Sequence, residues 1–280
     1  LVLGVAAASV LAFEALFLRM AHKPVKDFAL DGSGLITALL LAMNLPSGIP
    51  IYMIVVGAFV ATLLGKHTFG GLGNNPFNPA LVGRVFLLIS FPTAMTTWPV
   101  TSMAGVDATT AATPLGIFKT EGMGALGAWM SDGGYLKLLI GNRGGCLGES
   151  SAIAMLLGGL FLLWRKIISW EIPLTFIGTV ALITGFAWAG DAEAYANPAF
   201  HVLSGGLMMG AWFMATDMVT SPVTRKGQIV FGVGCGVLTA VIRLWGGYPE
   251  GVSFAILIMN GFVPLIDRYM VPKTFGEVTA

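Results

Sequence analysis

Ile49-Pro-Ile-Tyr-Met-Ile-Val-Val-Gly-Ala-Phe-Val-Ala-Thr-Leu-Leu-Gly65 carries no charged side chain, and Lys66 follows it directly. Similar apolar runs, bounded by Gly, Pro or charged residues, recur along the 280-residue chain. Only 10% of the residues are charged, 56% are hydrophobic and the mean hydropathy is +0.83, so the chain has too few charges to cover the surface of a soluble domain. The sequence therefore predicts an all-α polytopic integral membrane protein. The predicted spans are 1–19, 33–45, 49–65, 78–92, 150–164, 172–189, 200–216, 227–245 and 252–269.

Lys and Arg residues orient these nine spans, because cytoplasmic loops carry an excess of positive charge. When the loops alternate between the two sides, one side receives Arg19, Lys23, Lys26, Lys66, Arg165, Lys166, Arg225, Lys226, Arg268 and Lys273. The other side receives only Lys119, Lys137 and Arg143. The asymmetry predicts a cytoplasmic C-terminus and an extracytoplasmic segment 93–149.

Two of the spans, 33–45 and 78–92, are short for a hydrocarbon layer of about 30 Å. Helix-breaking or polar residues bracket both, so we predict broken helices there. Ala42-Met-Asn44 is also echoed by Ala215-Thr-Asp217, and Gly70-Gly71 by Gly246-Gly247. These echoes predict an inverted-topology repeat, with halves of about 1–92 and 150–269, inside one membrane domain covering 1–280.

Two Asn-Pro-Ala tripeptides, Asn78-Pro79-Ala80 and Asn197-Pro198-Ala199, leave another class of protein open. In water channels, two half-helices begin at such tripeptides and meet at mid-membrane. The second tripeptide continues into Phe200-His201 without a nearby Arg, and it reads equally well as an ordinary helix start. A small-solute channel or transporter without a redox role therefore remains an alternative.

Composition also limits the chemistry that the chain carries by itself. The net charge of +1 gives no indication of nucleic-acid binding. Cys146 and Cys235 are too few for a zinc or iron–sulfur site within this chain, and they are interpreted as packing thiols. No Gly-rich dinucleotide fingerprint precedes a strand. We therefore expect no NAD site here and no catalysis by the chain alone.

The centre of segment 93–149 reads Asp107-Ala-Thr-Thr110-Ala-Ala-Thr113-Pro-Leu115. Small neighbours leave the Thr113 hydroxyl accessible, and Pro114 favours an extended backbone before it. From these residues alone, Thr113 is either a modification acceptor or an ordinary loop threonine.

The same residues resemble the pattern Asp-x-x-[Ser/Thr]-Gly-Ala-[Thr/Ser], in which flavin transferase attaches FMN to the last hydroxyl. Asp107, Thr110, Ala112 and Thr113 are in step with the pattern, and Ala111 replaces its Gly. Three further stretches, 69–86, 141–150 and 213–222, resemble the RnfD component of the Rnf complex, an ion-translocating ferredoxin:NAD oxidoreductase. A membrane component of the sodium-pumping NADH:quinone reductase is its paralogue, and the equivalent component of that enzyme remains an alternative.

The resemblance implies a ten-helix subunit of a bacterial or archaeal cytoplasmic membrane, with about one helix before Leu1. It also implies FMN joined to Thr113 by a phosphoester, with Asp107 and Thr110 in the attachment motif. A second, non-covalent flavin, riboflavin, is expected within the helices. The implied partners are the other Rnf subunits, which are membrane, flavin-bearing and iron–sulfur proteins, and flavin transferase during maturation. The complex would couple electron flow to Na⁺ or H⁺ transport.

Four further positions are candidate site residues. Gly144 and Gly145, near the entry of span 150–164, let the backbone approach a flavin ring or phosphate, or else they form a plain turn. Asp217 and Glu149 lie at span ends and are candidates for an ion pathway, although Asp217 also suits a helix-end cap. Glu14, inside the first span, is expected to face the bundle interior.

Overall fold

The computed structural model describes residues 1–25, 31–100, 109–110, 112–141, 143–149 and 151–271. Within these ranges the regular secondary structure is helical apart from a two-residue antiparallel ladder between β1 (Pro99–Val100) and β2 (Thr109–Thr110). The helices are α1 (Val2–Met20), α2 (Ser33–Met43), α3 (Ile51–Thr62), α4 (Pro79–Ser90), α5 (Pro92–Met95), α6 (Pro114–Ser131), α7 (Gly134–Ile140), α8 (Ala152–Trp164), α9 (Glu171–Gly190), α10 (Pro198–Leu203), α11 (Leu207–Met209), α12 (Arg225–Trp245) and α13 (Val252–Tyr269). The predicted all-α class is confirmed.

In the part of the chain that the structure describes, four helices, α1, α9, α12 and α13, are long and apolar enough to cross a membrane. Four shorter apolar helices accompany them: α2, α3 with a π-helical turn at Leu63–His67, α4 and α8. All the predicted spans except 200–216 coincide with one of these eight helices to within a few residues. Large apolar side chains remain exposed on their outer faces, as Leu157, Phe161 and Phe186 show, which suits contact with lipid. The number of crossings stays a prediction.

The residues at the ends of α2 and α4 explain why these two helices are short. Gly32, with φ +83°, precedes α2, and the chain leaves that helix at Asn44, before Pro46. Asn78 caps α4, with Pro79 in its first turn, and Phe91-Pro92 ends it. Their 11 and 12 residues correspond to about 16–18 Å of helix, roughly half of a hydrocarbon layer.

The predicted span 200–216 is not a single helix in the structure. The structure breaks it into α10, α11 and a π-helical turn at Gly210–Met214, with Ser204 extended and Gly205 at φ +64°. A Cβ on Gly205 would lie 2.7 Å from the Leu115 Cδ1, so the break leaves no space for a side chain there. The apolar composition of the segment hid this break, because hydropathy does not report backbone conformation.

Segment 93–149 contains structure that the sequence did not predict. Helices α6 and α7 and all of α5 except Pro92 lie in it, and α6 bends at Gly122, where φ is +81°. A small separate core joins this segment to the chain around α10, through Leu115, Leu126, Leu138, Ala196 and Phe200. The segment is therefore packed onto the helical bundle.

Helix packing follows the same order in the two halves of the chain. Helix α1 packs against α2 and α3, and α3 packs against α4. Likewise α9 packs against α10 and α12, and α12 packs against α13. The repeat stays a prediction, and this order of contacts agrees with it.

Two contacts between inter-helix segments agree with the alternation of loops between the two sides of the membrane that the charge pattern predicts. Lys23 Nζ donates to the Gly70 carbonyl at 2.9 Å, and Arg225 Nε lies 3.4 Å from Glu171 Oε1. Both pairs join loops that the alternation assigns to one side. Which side faces the cytoplasm stays a prediction.

Candidate functional site

A cavity of about 230 Å³ lies between α4, the start of α6, the turn Leu147–Glu149 and the chain before α13. Three of the predicted site residues, Thr113, Gly144 and Glu149, line it. Six more of the lining residues are aromatic or charged: Trp98, Tyr248, Phe254, Arg84, Arg143 and Glu250. The fold thus brings residues from distant parts of the chain to one chamber.

Thr113 is the N-terminal cap of α6. Its Oγ1 accepts a hydrogen bond from the Gly116 N–H at 3.0 Å, and its carbonyl accepts one from the Ile117 N–H. Pro114 occupies the first helical position, where its missing N–H costs nothing. The free N–H groups and dipole of α6 therefore surround the Thr113 hydroxyl with positive potential, which favours an anion on it.

Arg84 places a positive charge in the wall of the cavity. Its guanidinium lies 2.5 Å from a Glu250 carboxylate oxygen, 3.5 Å from Glu149 Oε1 and 2.5 Å from Asn44 Oδ1. The Arg84 side chain is almost wholly buried. A buried guanidinium needs such partners, because an unpaired charge away from water is costly.

The two carboxylates of this cluster differ in their environment. The backbone N–H of Gly206 donates to Glu250. Burial opposes the charge of Glu250, but Arg84 and Arg243 outweigh it, so the pKa of Glu250 is lowered. Burial raises the pKa of Glu149, and the neighbouring Glu250 adds to that rise. Glu250 is therefore the ionised partner of Arg84, and Glu149 is the group that accepts a proton more readily.

Two further arginines lie beside the carboxylates. Arg143 Nη2 donates to the Glu149 carbonyl at 2.6 Å, while its buried Nε has no hydrogen-bond partner among the described residues. Arg243, from α12, donates to the carbonyls of His201 and Ser204. Counting Arg84, the cluster holds three arginines against two carboxylates. Its formal charge of +1 with both carboxylates ionised suits an anionic ligand.

The other predicted site residues, those of the attachment motif and the glycine pair, do not all lie at the cavity. Asp107 lies outside the described residues. Thr110 is in β2, where its backbone pairs with Pro99. Gly144 is buried and lines the cavity, whereas a Cβ on Gly145 would face Glu149 Oε2 at 3.4 Å. Gly145 thus packs against the charged cluster, and Gly144 faces the chamber.

The structure separates the two ion-pathway candidates. Glu149 belongs to the cavity, but Asp217 lies in the connection after the Gly210–Met214 turn and does not line it. Asp217 accepts hydrogen bonds from the Val219 N–H at 3.3 Å and from Thr220 Oγ1 at 3.1 Å. These are the contacts of a capping residue.

Both Asn-Pro-Ala tripeptides begin helices. Asn78 Oδ1 accepts from the N–H groups of Ala80 and Leu81, and its amide donates to the Met214 carbonyl. Asn197 Oδ1 accepts from the Ala199 N–H. The neighbour of Asn197, Ala196, packs in the small core of segment 93–149, so the two tripeptides lie in different parts of the fold.

Sequence reasoning did not select Arg84, Arg143 or Glu250. A charged residue inside a predicted span, such as Arg84, was the available signal, because such residues are rare unless paired. The interior location predicted for Glu14 is confirmed, and the structure adds its partner, Lys66, which also donates to Ser33 Oγ at 2.7 Å. The charge pattern places Lys66 in a loop, but it lies buried in the π-helical turn that ends α3.

The apolar helices, their exposed apolar faces and the buried ion pairs define a multi-pass membrane protein. Residues 1–276 match the model of the NQR2, RnfD, RnfE family, and the chain belongs to that family.

Similar proteins carry consistent names, each being the D component of an ion-translocating oxidoreductase complex. The component from the proton-translocating ferredoxin:NAD(+) oxidoreductase of Clostridium ljungdahlii is 49% identical over 261 residues, which are 92% of this chain and 78% of that protein. The component from the Na(+)-translocating ferredoxin:NAD(+) oxidoreductase of Acetobacterium woodii is 43% identical over 270 residues, covering 96% and 80%. The component from the ion-translocating oxidoreductase of Stutzerimonas stutzeri is 42% identical over 293 residues, covering 96% and 82%.

Proposed function

We propose that this chain is the membrane electron-transfer subunit of an Rnf-type ion-translocating ferredoxin:NAD oxidoreductase, and that it carries FMN as a phosphoester on Thr113. One observation carries the proposal. The Thr113 hydroxyl, already selected by the attachment motif, caps α6 at the wall of a cavity that also holds arginines and aromatic rings.

The charged residues fit the phosphate of FMN. A phosphoester on Thr113 places a negative charge at the N-terminus of the helical turns that precede the kink at Gly122, where N–H groups and the helix dipole stabilise it. Arg143 brings a guanidinium whose Nε has no partner among the described residues, and guanidinium groups bind phosphate oxygens well. The excess positive charge of the cluster offsets the charge of the ester.

The apolar residues fit the ring system. Trp98, Tyr248 and Phe254 line the same cavity and offer flat apolar surface to an isoalloxazine ring. Gly144 exposes backbone there without a side chain. Bound flavin supplies one- and two-electron chemistry, and the chain supplies position and electrostatics. The covalent bond keeps the cofactor at a site that the charge asymmetry assigns to the extracytoplasmic side.

The partners in this proposal are the remaining subunits of the complex. NAD and iron–sulfur chemistry belong to those subunits, and flavin transferase loads FMN during maturation. A non-covalent riboflavin within the helices is part of the proposal. Relatives are named for proton and for Na⁺ translocation, so the coupling ion is H⁺ or Na⁺. The proposed location is the bacterial or archaeal cytoplasmic membrane, with the C-terminus in the cytoplasm.

Covalent flavin is tested by a visible spectrum of the purified protein after denaturation and precipitation. The proposal expects flavin absorbance to remain with the precipitated chain, because a phosphoester survives unfolding. Absorbance that is released entirely into the supernatant would contradict covalent attachment. A complete lack of flavin in protein matured with its transferase would favour the channel alternative.

Asp217 and Glu149 remain proposed ion-pathway carboxylates. For Asp217 the test is Asp217→Asn, which removes the charge but keeps an oxygen for the Val219 N–H. We expect ion-coupled turnover to fall while the amount of bound flavin stays unchanged. Normal ion transport in the variant would leave Asp217 with the capping role alone.

A further inference from the structure

We propose that a second cavity, between the end of α8 and the starts of α9 and α12, binds the headgroup of a phospholipid that carries a phosphate and a primary ammonium. Phosphatidylethanolamine is the common lipid of this class. The cavity measures about 640 Å³ and is formed by the connection 165–170, the connection 215–224 and the adjoining helix ends. It shares no lining residue with the Thr113 cavity.

Lys166 and Arg225 supply the positive charge of this cavity. The Arg225 side chain is 87% exposed, and its Nε lies 3.4 Å from Glu171 Oε1. Its terminal nitrogens have no partner among the described residues and are free to bind phosphate oxygens. Lys166, the second residue after the end of α8, has φ +57° and lines the cavity.

Glu171 supplies the negative charge of the cavity, and it determines which lipid headgroup is preferred. Its side chain is almost wholly buried at the start of α9 and lines the cavity. Arg225 reaches Oε1, but Oε2 is buried without a hydrogen-bond donor among the described residues. A carboxylate oxygen in that state is costly, and a primary ammonium with three N–H groups satisfies it. A headgroup with a phosphate alone leaves it unsatisfied.

The surroundings of the cavity indicate a lipid and not a free phosphate compound. Trp164 and Trp170, which are 76% and 50% exposed, flank the connection between α8 and α9. Tryptophan side chains favour the boundary between hydrocarbon and headgroups. Leu160 and Leu174 are exposed on the adjoining helix faces and provide apolar surface for acyl chains. A basic cavity between helix ends at this boundary is a typical lipid-headgroup site.

The test uses the intact complex, purified in detergent and washed free of loosely bound lipid. It is incubated with equal amounts of isotope-labelled phosphatidylethanolamine, phosphatidylglycerol and phosphatidylcholine, purified again, and analysed by mass spectrometry for lipid retained per chain. We expect phosphatidylethanolamine to be retained in preference to the other two. In Glu171→Gln this preference should fall roughly tenfold, the value of a charged hydrogen bond.

Two further variants and two controls complete the design. Lys166→Asn and Arg225→Gln should lower retention of phosphatidylethanolamine and phosphatidylglycerol together, and Asn tolerates the left-handed backbone at 166. Lys226→Gln and Glu193→Gln are controls, because both residues are exposed and neither lines the cavity.

Several results would overturn the proposal. One is retention of phosphatidylglycerol by the wild type that equals its retention of phosphatidylethanolamine. Another is unchanged lipid selectivity in Glu171→Gln. A third is that no labelled lipid is retained at all, which would assign the face to a protein partner. If Glu171→Gln does not assemble, Lys166→Asn decides: retention equal to that of the wild type also excludes the site.

Discussion

Arg84 shows how a buried charge organises the cavity around Thr113. It lies inside an apolar helix and takes its partners from three distant segments, through Asn44, Glu149 and Glu250. A lone guanidinium in hydrocarbon carries a large penalty, so α4 is stable there only with these groups in place. The sequence showed that Arg84 lies in a span, but it did not show which acidic residues the fold brings to it.

The two carboxylates of this cluster should respond differently to removal of their charge. Glu149→Gln replaces the carboxyl group whose pKa is raised to about 7, which binds a proton more readily than Glu250 does, so we expect the smaller change in thermal stability. Glu250→Gln removes the charge that faces Arg84 at 2.5 Å. Breaking such a buried pair costs about 3 kcal/mol, which corresponds to a fall in Tm of roughly 6–12 °C.

Gel filtration of detergent-solubilised protein after heating to a series of temperatures measures the Tm of both variants. Each variant is the matched control of the other, since both lose one carboxylate from the same cluster. Equal falls in Tm for Glu149→Gln and Glu250→Gln would show that the assignment of the ionised partner is wrong.

The interruption between α10 and α11 positions part of the same cavity. The N–H of Gly206 binds Glu250, and Gly205 lines the chamber. A continuous helix across these residues would engage the Gly206 N–H in its own hydrogen-bond ladder. The break is therefore linked directly to the charge cluster.

Gly205→Ala should destabilise the protein. Alanine is strained at φ +64°, and its Cβ would approach Glu250 Oε1 to 2.6 Å and Leu115 Cδ1 to 2.7 Å. Strain and overpacking together give a cost of about 2–4 kcal/mol. Gly178→Ala, inside α9 with nothing within 4 Å of its Cβ, is the control and should be neutral or slightly stabilising. Equal Tm values for Gly205→Ala and the wild type would contradict the steric account.

Elements with long apolar runs and clear ends were predictable. Thr224 caps α12, and the predicted bounds of α13 match the observed ones. Helix α6 was not predictable in the same way, because its seven Gly, Ala and Thr residues and its bend at Gly122 weaken any periodic apolar pattern. Its stability comes from packing against Phe200 and its neighbours, which no local pattern reports.

The distribution of charge over the chain predicts its orientation in the membrane, and cysteine labelling tests that prediction. Gly124→Cys should react with an impermeant thiol reagent added outside intact cells, since this position is exposed and a Cβ there meets nothing within 4 Å. Lys226→Cys, exposed at the start of α12, should react only after the cells are opened. The native Cys146 and Cys235 are buried and should give little background. Reversed labelling would overturn the orientation and place the Thr113 cavity on the cytoplasmic side.

Only part of the cavity could be predicted from the sequence. Thr113 followed from a local motif, because the attachment pattern needs only neighbouring residues. The chamber around it combines side chains as distant as Arg84 and Phe254. No spacing rule connects them, since their proximity results from helix packing across both halves of the chain.

In-gel fluorescence of denatured protein tests the central claim, that FMN is esterified to Thr113. Wild-type protein, matured with its transferase, should give a band that fluoresces under ultraviolet light. Thr113→Val keeps the β-branch but removes the nucleophilic oxygen, and the band should be present without fluorescence. Thr110→Val, the matched control within the same motif, should retain fluorescence. A fluorescent Thr113→Val band, or a dark Thr110→Val band beside a fluorescent one for Thr113→Val, would contradict the assignment.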